Sequence, residues 1–192
     1  MEAKKLNEVS WSEYLDLEVS TGKKYEFHNG EVFAMSGGTL DHGLISGNAF
    51  GEIKFALKNA NRDCTAINND VKLFIKAEEK FVYPDAMVVC GPIEVSDEMV
   101  NAVVNPVIII EVLSKSTEAY DRGDKFHSYR QIPSLREYVL IDQDKARVEI
   151  FRKRSDLWRI DLIEGVNQSF RLESIDLEFD LASFYDGISW SI

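Results

Sequence analysis

Two carboxylates stand inside the most apolar stretches of the chain. Glu111 interrupts the run Ile108-Ile109-Ile110-Glu111-Val112-Leu113, and Asp85 follows Pro84 directly before the apolar segment 86–89. A carboxylate in a buried strand is costly unless it is paired or coordinates a metal. Two of them on neighbouring strands predict a site for one hard cation, Mg²⁺ or Mn²⁺, which takes oxygen ligands.

A lysine follows these carboxylates at helical spacing. Asp121, Lys125 and Tyr129 are spaced i, i+4, i+8 and share one helix face. An ammonium there could stabilise developing phosphoryl charge or orient a water molecule. The alternatives are an exposed Asp121–Lys125 pair, a Glu111 that pairs with a buried Lys or Arg, and an Asp85 that only caps a turn.

The three histidines and two cysteines show no zinc-ligand spacing. His42 begins a predicted helix, where it could position phosphate or water, or simply lie on the surface. His28 and His127 are predicted to be structural or exposed. Cys64 and Cys90 lie in strand-like segments without a disulfide framework, which predicts a reduced, cytoplasmic protein.

Composition indicates one globular domain. The 192 residues carry 22 Lys and Arg against 33 Asp and Glu, a net charge of −11. This excludes a broad basic nucleic-acid surface, although bound metal would reverse the sign locally. The longest apolar run, 106–113, is far too short to span a membrane, and residues 1–10 lack the apolar segment of a signal peptide. We expect a single domain over 1–192, with a core at about 11–165 and a C-terminal extension at 166–192.

The elements that must position these residues follow from local patterns. Ser10 to Glu13 is a capping box that begins a helix. Segments 24–28 and 31–35 around Asn29-Gly30 predict a hairpin with a type I′ turn. Asp41 is the predicted cap of a helix that ends near Asn59.

Further strands are predicted at 64–67, 71–75, 81–89, 107–113, 137–141, 147–152 and 158–163, with a helix at 118–131 that Pro133 ends. The segment 107–113 is apolar on both faces and belongs in the middle of a sheet. The tail from residue 170 predicts a short strand and one or two helical turns. Together these patterns predict an α/β domain with a central mixed sheet flanked by helices.

The order of these motifs resembles a known family. Pro84-Asp85 followed by Glu111-Val112-Leu113 resembles the PD-(D/E)XK signature of restriction-endonuclease-like nucleases. Over residues 11–152 the chain is more specifically similar to the Uma-two (Uma2) family of endonucleases. The matching positions are the segment 24–31, His42, Pro84-Asp85, 111–114, Ser116-Thr117, Asp121, Lys125, Tyr129, Pro133 and Glu137-Tyr138.

The resemblance implies a restriction-endonuclease-like fold and Mg²⁺-dependent cleavage of DNA phosphodiester bonds. By position, Asp85 and Glu111 match the metal ligands and Glu26 matches a further acidic site residue. Glu31, five residues later, is expected to point away. Leu113 stands where the superfamily motif has lysine, which points to Lys125 as its replacement, with Lys115 as a second possibility.

Two other functions compete with a nuclease. A catalytically inactive interaction or nucleic-acid-binding module on the same fold fits the charge of −11 and Leu113. A glycosidase that uses paired carboxylates is disfavoured because the aromatic residues are dispersed. A nuclease with one site per chain needs two copies to cut both strands of a duplex, so we expect a homodimer.

Overall fold

The computed structural model describes residues 9–35, 37–97 and 101–189. The predicted domain limits at 1–8 and 190–192 lie outside these residues. No helix in the described ranges is long and apolar enough to cross a membrane. In chain order the elements are α1 (Trp11–Thr21), β1 (Tyr25–His28), β2 (Glu31–Ala34), α2 (Leu40–Asn59), β3 (Cys64–Asn68), β4 (Lys72–Ile75), a 3-10 turn (Lys76–Glu78), β5 (Lys80–Val82), β6 (Ala86–Cys90), β7 (Ala102–Val103), β8 (Ile108–Leu113), α3 (Glu118–Tyr120), a π-helical turn (Asp121–Lys125), α4 (Phe126–Tyr129), β9 (Glu137–Asp142), β10 (Arg147–Arg154), β11 (Leu157–Glu164), β12 (Ser169–Leu172), β13 (Leu177–Asp180) and α5 (Leu181–Phe184).

The described strands form two larger sheets and a hairpin. One sheet has the order β2-β1-β5-β4-β7, the other has the order β11-β10-β9-β8-β6-β3, and β12 pairs with β13. In the six-stranded sheet β8 and β9 are parallel and the remaining pairs are antiparallel. The α/β class with a mixed sheet and flanking helices is therefore confirmed.

The single strand predicted over 81–89 is wrong. The chain leaves β5 of the five-stranded sheet at Val82, passes through Tyr83-Pro84-Asp85, and enters β6 of the six-stranded sheet at Ala86. Proline has no backbone N–H to donate to a ladder, so Pro84 lies where pairing stops. Asp85 consequently lies at the junction of the two sheets.

Local signals explain how the first elements form. The capping box at Ser10 and Glu13 is confirmed, and so is the hairpin turn, in which Asn29 has φ 46° and Gly30 has φ 88°. The predicted cap at Asp41 is wrong, because Thr39 caps α2 and its side chain accepts the His42 backbone N–H. Asp41 lies in the first turn, where its charge suits the helix dipole.

Strand β8 is the centre of the larger sheet, as its composition predicts. All six of its residues are buried, and the two faces of the strand differ. Ile108, Ile110 and Val112 belong to the apolar cluster that includes α2. Ile109 and Leu113 belong to the opposite cluster, which includes the α4 residue Tyr129 and the β9 residue Tyr138.

The segment predicted as one α-helix over 118–131 is interrupted. Its first and last turns are α-helical, but Asp121–Lys125 forms a π-helical turn that buries both Asp121 and Lys125. The tail forms two strands and a short helix, and its aromatic residues join the cluster beneath α2. These aromatic residues are Phe170, Phe179, Phe184 and Tyr185.

The prediction of two reduced cysteines is wrong. Cys64 of β3 and Cys90 of β6 are directly opposite each other in an antiparallel pair and form a disulfide. They are 26 residues apart in sequence, so only the strand register reveals their proximity.

Candidate active site

Asp85 is fixed at the junction of the sheets by a hydrogen bond to β8. Its Oδ2 accepts the backbone N–H of Val112 at 2.7 Å, and only 8% of the residue is exposed. The bond places Asp85 beside the strand residue next to Glu111. The Val112 N–H and the His42 ring both contact Oδ2 of Asp85, and neither of them contacts Oδ1.

Glu111 lies on the face of β8 that packs against the helical segment α3–α4. Its Oε1 accepts hydrogen bonds from Lys125 Nζ at 3.0 Å and from the Tyr129 hydroxyl at 2.6 Å. Both donors reach Oε1, so neither engages Oε2. Burial raises the pKa of Glu111 to about 8, with the Asp121 and Asp85 charges adding to the effect of burial and Lys125 and Tyr129 opposing it.

Lys125 is the cation at the centre of the site. Its Nζ lies 3.0 Å from Glu111, 3.2 Å from Asp121 and 3.8 Å from Glu26. Burial alone would lower the pKa of Lys125, but these carboxylates outweigh it and hold the pKa well above its usual value. The i, i+4 pair is therefore buried, and the alternative of an exposed surface pair is wrong.

Asp121 is an unusual neighbour for this lysine. Its residue is 2% exposed, and among the described residues its Oδ1 accepts no hydrogen bond of good geometry. Burial raises the pKa of Asp121, which Lys125 partly offsets. An ion pair without full hydrogen bonding offsets only part of the free energy that is lost when its charges leave water.

Glu26 of β1 approaches from the five-stranded sheet. It is 5% exposed, and Lys125 and His28 together lower its pKa against the effect of burial. His28 Nε2 lies 3.3 Å from Glu26 and 3.1 Å from the Tyr120 hydroxyl. The neighbouring Glu31 is on β2 and does not line the cavity described below.

His42, in the first turn of α2, faces Asp85. Its Nε2 lies 3.4 Å from Asp85 Oδ2, and this hydrogen bond raises the pKa of His42. Lys115 is not in the site, because its side chain is 86% exposed and 3.7 Å from Asp144. His127 also lies outside, with its side chain 61% exposed.

One cavity of about 170 Å³ collects the predicted side chains. The predicted residues that line it are Glu26, His42, Asp85, Glu111, Asp121 and Lys125. Tyr129 contacts Glu111 from behind the cavity wall. A wider groove of about 560 Å³ shares His42 and Asp85 with this cavity and is also lined by Lys23 and Lys24.

Comparison with known proteins identifies the family. The Uma2 family model, described as "Putative restriction endonuclease", matches residues 11–182. The chain belongs to the Uma2 family. It is 31% identical to the uncharacterized protein slr1290 of Synechocystis over 95% of this chain and 94% of that protein. It is 36% identical to the uncharacterized protein sll1609 of the same organism over 81% of this chain and 88% of that protein.

A solved structure shares the fold. The crystal structure of a protein from Anabaena variabilis, titled a "putative nuclease belonging to DUF820", superposes with a TM-score of 0.70 at 17% identity. The superposition covers 90% of this chain and 97% of that chain. The restriction-endonuclease-like fold predicted for this Uma2 protein is therefore confirmed.

The donor set of this Uma2 protein fits a magnesium-type site rather than a preformed metal cage. Among the described residues, no group of three or more His, Cys, Asp or Glu side chains is arranged to hold a metal ion. Mg²⁺ commonly binds through one or two carboxylates and keeps several waters. Asp85 Oδ1 and Glu111 Oε2 are the oxygens that the described contacts leave for such an ion.

Two site residues were missed from the sequence. Tyr120 lines the cavity, its hydroxyl lies 3.4 Å from Glu26, and its ring lies 5.6 Å from the ammonium groups of both Lys80 and Lys125. His28 bonds this tyrosine across 92 residues of chain. The sequence predicts that Glu26 and His28 share one strand, but no local sequence pattern indicates that β1 contacts Tyr120 of α3.

Proposed function

We propose that this Uma2 protein is a Mg²⁺-dependent endonuclease that hydrolyses phosphodiester bonds of DNA. One observation carries the proposal: Asp85, Glu111 and Lys125 come from three separate segments of the chain and line one cavity. Maintaining two buried carboxylates beside a buried lysine is expensive for a protein that needs only a stable core. Clusters of perturbed titratable groups in a cleft are typical of functional sites.

The carboxylates have separate tasks in this proposal. Asp85 and Glu111 would hold Mg²⁺ or Mn²⁺ through Oδ1 and Oε2, the carboxylate oxygens that the hydrogen bonds described above do not use. A cation bound there would polarise the phosphate and lower the pKa of a bound water. Tyr129 keeps Glu111 oriented through its hydrogen bond at 2.6 Å, and Asp121 keeps the Lys125 side chain in the cavity.

Lys125 and His42 are the groups that would contact substrate. The Lys125 ammonium remains protonated because its pKa is raised, so it would stabilise negative charge that develops on the phosphate. His42 lies on the wall shared by the cavity and the groove. The hydrogen bond to Asp85 raises the pKa of His42 and so favours the imidazolium form, which would donate a hydrogen bond to a phosphate oxygen.

The groove offers a route for the nucleic-acid strand. Lys23 and Lys24 line it in a chain whose net charge is −11. Phosphate contacts from lysine supply most sequence-independent affinity for DNA. Lys24 is paired with Asp70 at 2.7 Å, so the charge of Lys23 is the one that supports a substrate-binding nuclease over a module with a uniformly acidic rim.

The test is cleavage of plasmid and single-stranded DNA in Mg²⁺ or Mn²⁺. Asp85→Asn keeps an oxygen for the Val112 N–H but removes the charge, so the fold should persist while cleavage falls at least about a hundredfold. Asp144→Asn is the matched control on the exposed surface and should retain full activity. DNA binding without cleavage in either metal would instead favour the catalytically inactive module. The observation that supports this second function is Leu113, which stands in place of the motif lysine.

A further inference from the structure

Strand β11 is the outer strand of the six-stranded sheet. In the described ranges it pairs with β10 along its whole length of eight residues and has no strand on its other side. Ile160 and Leu162 are 56% and 57% exposed on this strand. A long, exposed and apolar edge is a template for pairing with another chain.

The ladder with β10 determines which backbone groups face outward. The register is unbroken from Arg147–Glu164 to Arg154–Leu157, and just beyond it Gly165 N donates to Ala146 O at 2.9 Å. Hydrogen-bonded pairs alternate along an antiparallel ladder. The odd-numbered residues of β11 therefore bond to β10, and the even-numbered ones present both N–H and C=O to the free edge. These outward residues are Trp158, Ile160, Leu162 and Glu164.

We propose that two copies of this chain dimerise by pairing their β11 strands antiparallel about Ile160. In this register Ile160 lies opposite the partner's Ile160, and the two exchange both backbone hydrogen bonds. Trp158 lies opposite the partner's Leu162 in the next hydrogen-bonded pair. The exposed apolar side chains then form one continuous strip across the interface.

Charge complementarity selects this register over its neighbours. Arg159 lies opposite the partner's Asp161, and the two-fold axis makes the same pair twice. Moving the centre of the pairing to Arg159 or to Asp161 would place two arginines or two aspartates directly opposite each other. Opposite charges across a strand pair stabilise it, whereas like charges destabilise it.

The dimer does not rest on the proposed nuclease activity. It joins two six-stranded sheets edge to edge and leaves the cavity at Asp85 and Glu111 untouched, since β11 lies at the end of the sheet order and β8 lies three strands further in. Association and DNA cleavage can therefore fail independently.

Molar mass by light scattering at micromolar concentrations tests the interface. The wild type should be a dimer, and Ile160→Lys, which places two ammonium groups at the two-fold axis, should be a monomer. Phe55→Lys is the matched control, because Phe55 is an apolar residue 65% exposed on α2, and it should remain a dimer. A monomeric wild type, or a dimer that survives Ile160→Lys, would overturn the proposal.

Charge reversal tests the register itself. Arg159→Asp alone places carboxylates opposite carboxylates, Asp161→Arg alone places arginines opposite arginines, and each should raise the dimer dissociation constant about tenfold or more. In an equimolar mixture the introduced and the native carboxylate of one chain face the two arginines of the other, so a heterodimer should form. Circular dichroism shows whether Asp161→Arg, which also loses the hydrogen bonds from Arg152 and Arg159 of its own chain, remains folded. Folded monomers that do not associate on mixing would refute pairing about Ile160.

Discussion

Replacing Lys125 with methionine should destabilise the protein strongly and in a pH-dependent way. Three buried carboxylates lie within 3.8 Å of the Lys125 ammonium, so Lys125→Met leaves them without their shared cation. Removing one partner of a buried ion pair costs about 3–5 kcal/mol. We expect a loss of about 4 kcal/mol in the free energy of unfolding at pH 8, measured by urea denaturation without divalent metal.

The loss should shrink as the pH falls. Without Lys125 the folded-state pKa values of Glu111 and Asp121 rise further above their unfolded values, and Glu26 loses the charge that lowers its pKa. The folded state then binds more protons than the unfolded chain. Stability then falls with rising pH by about 1.4 kcal/mol per pH unit for each such carboxylate. Glu111 already has a pKa of about 8 in the intact site, so it is neutral in both proteins at pH 5, where the penalty should be about 1–2 kcal/mol.

Lys115→Met is the control for this measurement, since the Lys115 side chain is 86% exposed. Its effect should stay within about 0.5 kcal/mol at both pH values. A loss for Lys125→Met below about 1 kcal/mol at pH 8, or an equal loss at pH 5, would show that the carboxylates are not held together by this ammonium.

Four further outcomes are expected. Millimolar Mg²⁺ should raise the melting temperature, because binding at a hundred times the dissociation constant adds about 2.7 kcal/mol to the free energy of unfolding. Glu111→Gln should abolish this response, and an equal response in the wild type and the variant would locate the metal elsewhere. Tyr129→Phe removes a hydrogen bond that lowers the pKa of Glu111, so the pH midpoint of Mg²⁺ stabilisation should move upward, and an unchanged midpoint would contradict this. Thr39→Ala removes the cap of α2 and should cost about 1 kcal/mol in thermal unfolding, a prediction that fails if stability is unaltered. Reduction of the Cys64–Cys90 disulfide, which closes a loop over a separation of 26 residues, should lower stability by about 3 kcal/mol, and a calorimetric scan that is the same with and without reductant would argue against the bond.

The sequence predicts which side chains line the cavity better than it predicts the strands around them. Glu111 stands out because a carboxylate within an apolar run is costly, and Asp85 stands out because it follows the proline that ends a strand. These signals depend on a few neighbouring residues. The same apolar run that makes Asp85 visible also conceals that 81–89 belongs to two different sheets, because burial looks alike in both.

Other features depend on contacts between distant segments. The π-helical turn at Asp121–Lys125 inserts one residue per turn into a spacing that otherwise fits an α-helix. Within this turn Lys125 contacts Glu111 and Glu26, which are on two different sheets. The Cys64–Cys90 bond likewise requires knowledge of which strands pair.

The position of the lysine follows from the packing of β8. Glu111 and Leu113 are two residues apart on one strand and therefore point to the same face of the sheet. Leu113 is 4% exposed in the apolar cluster with Tyr129 and Tyr138, where burying an ammonium would carry a large desolvation cost. Lys125 reaches the Glu111 carboxylate from the adjacent helical turn instead, and the π-helical geometry buries it beside Asp121. A lysine at position 113 is therefore not needed to place a positive charge next to Glu111. Leu113 instead packs in the hydrophobic core.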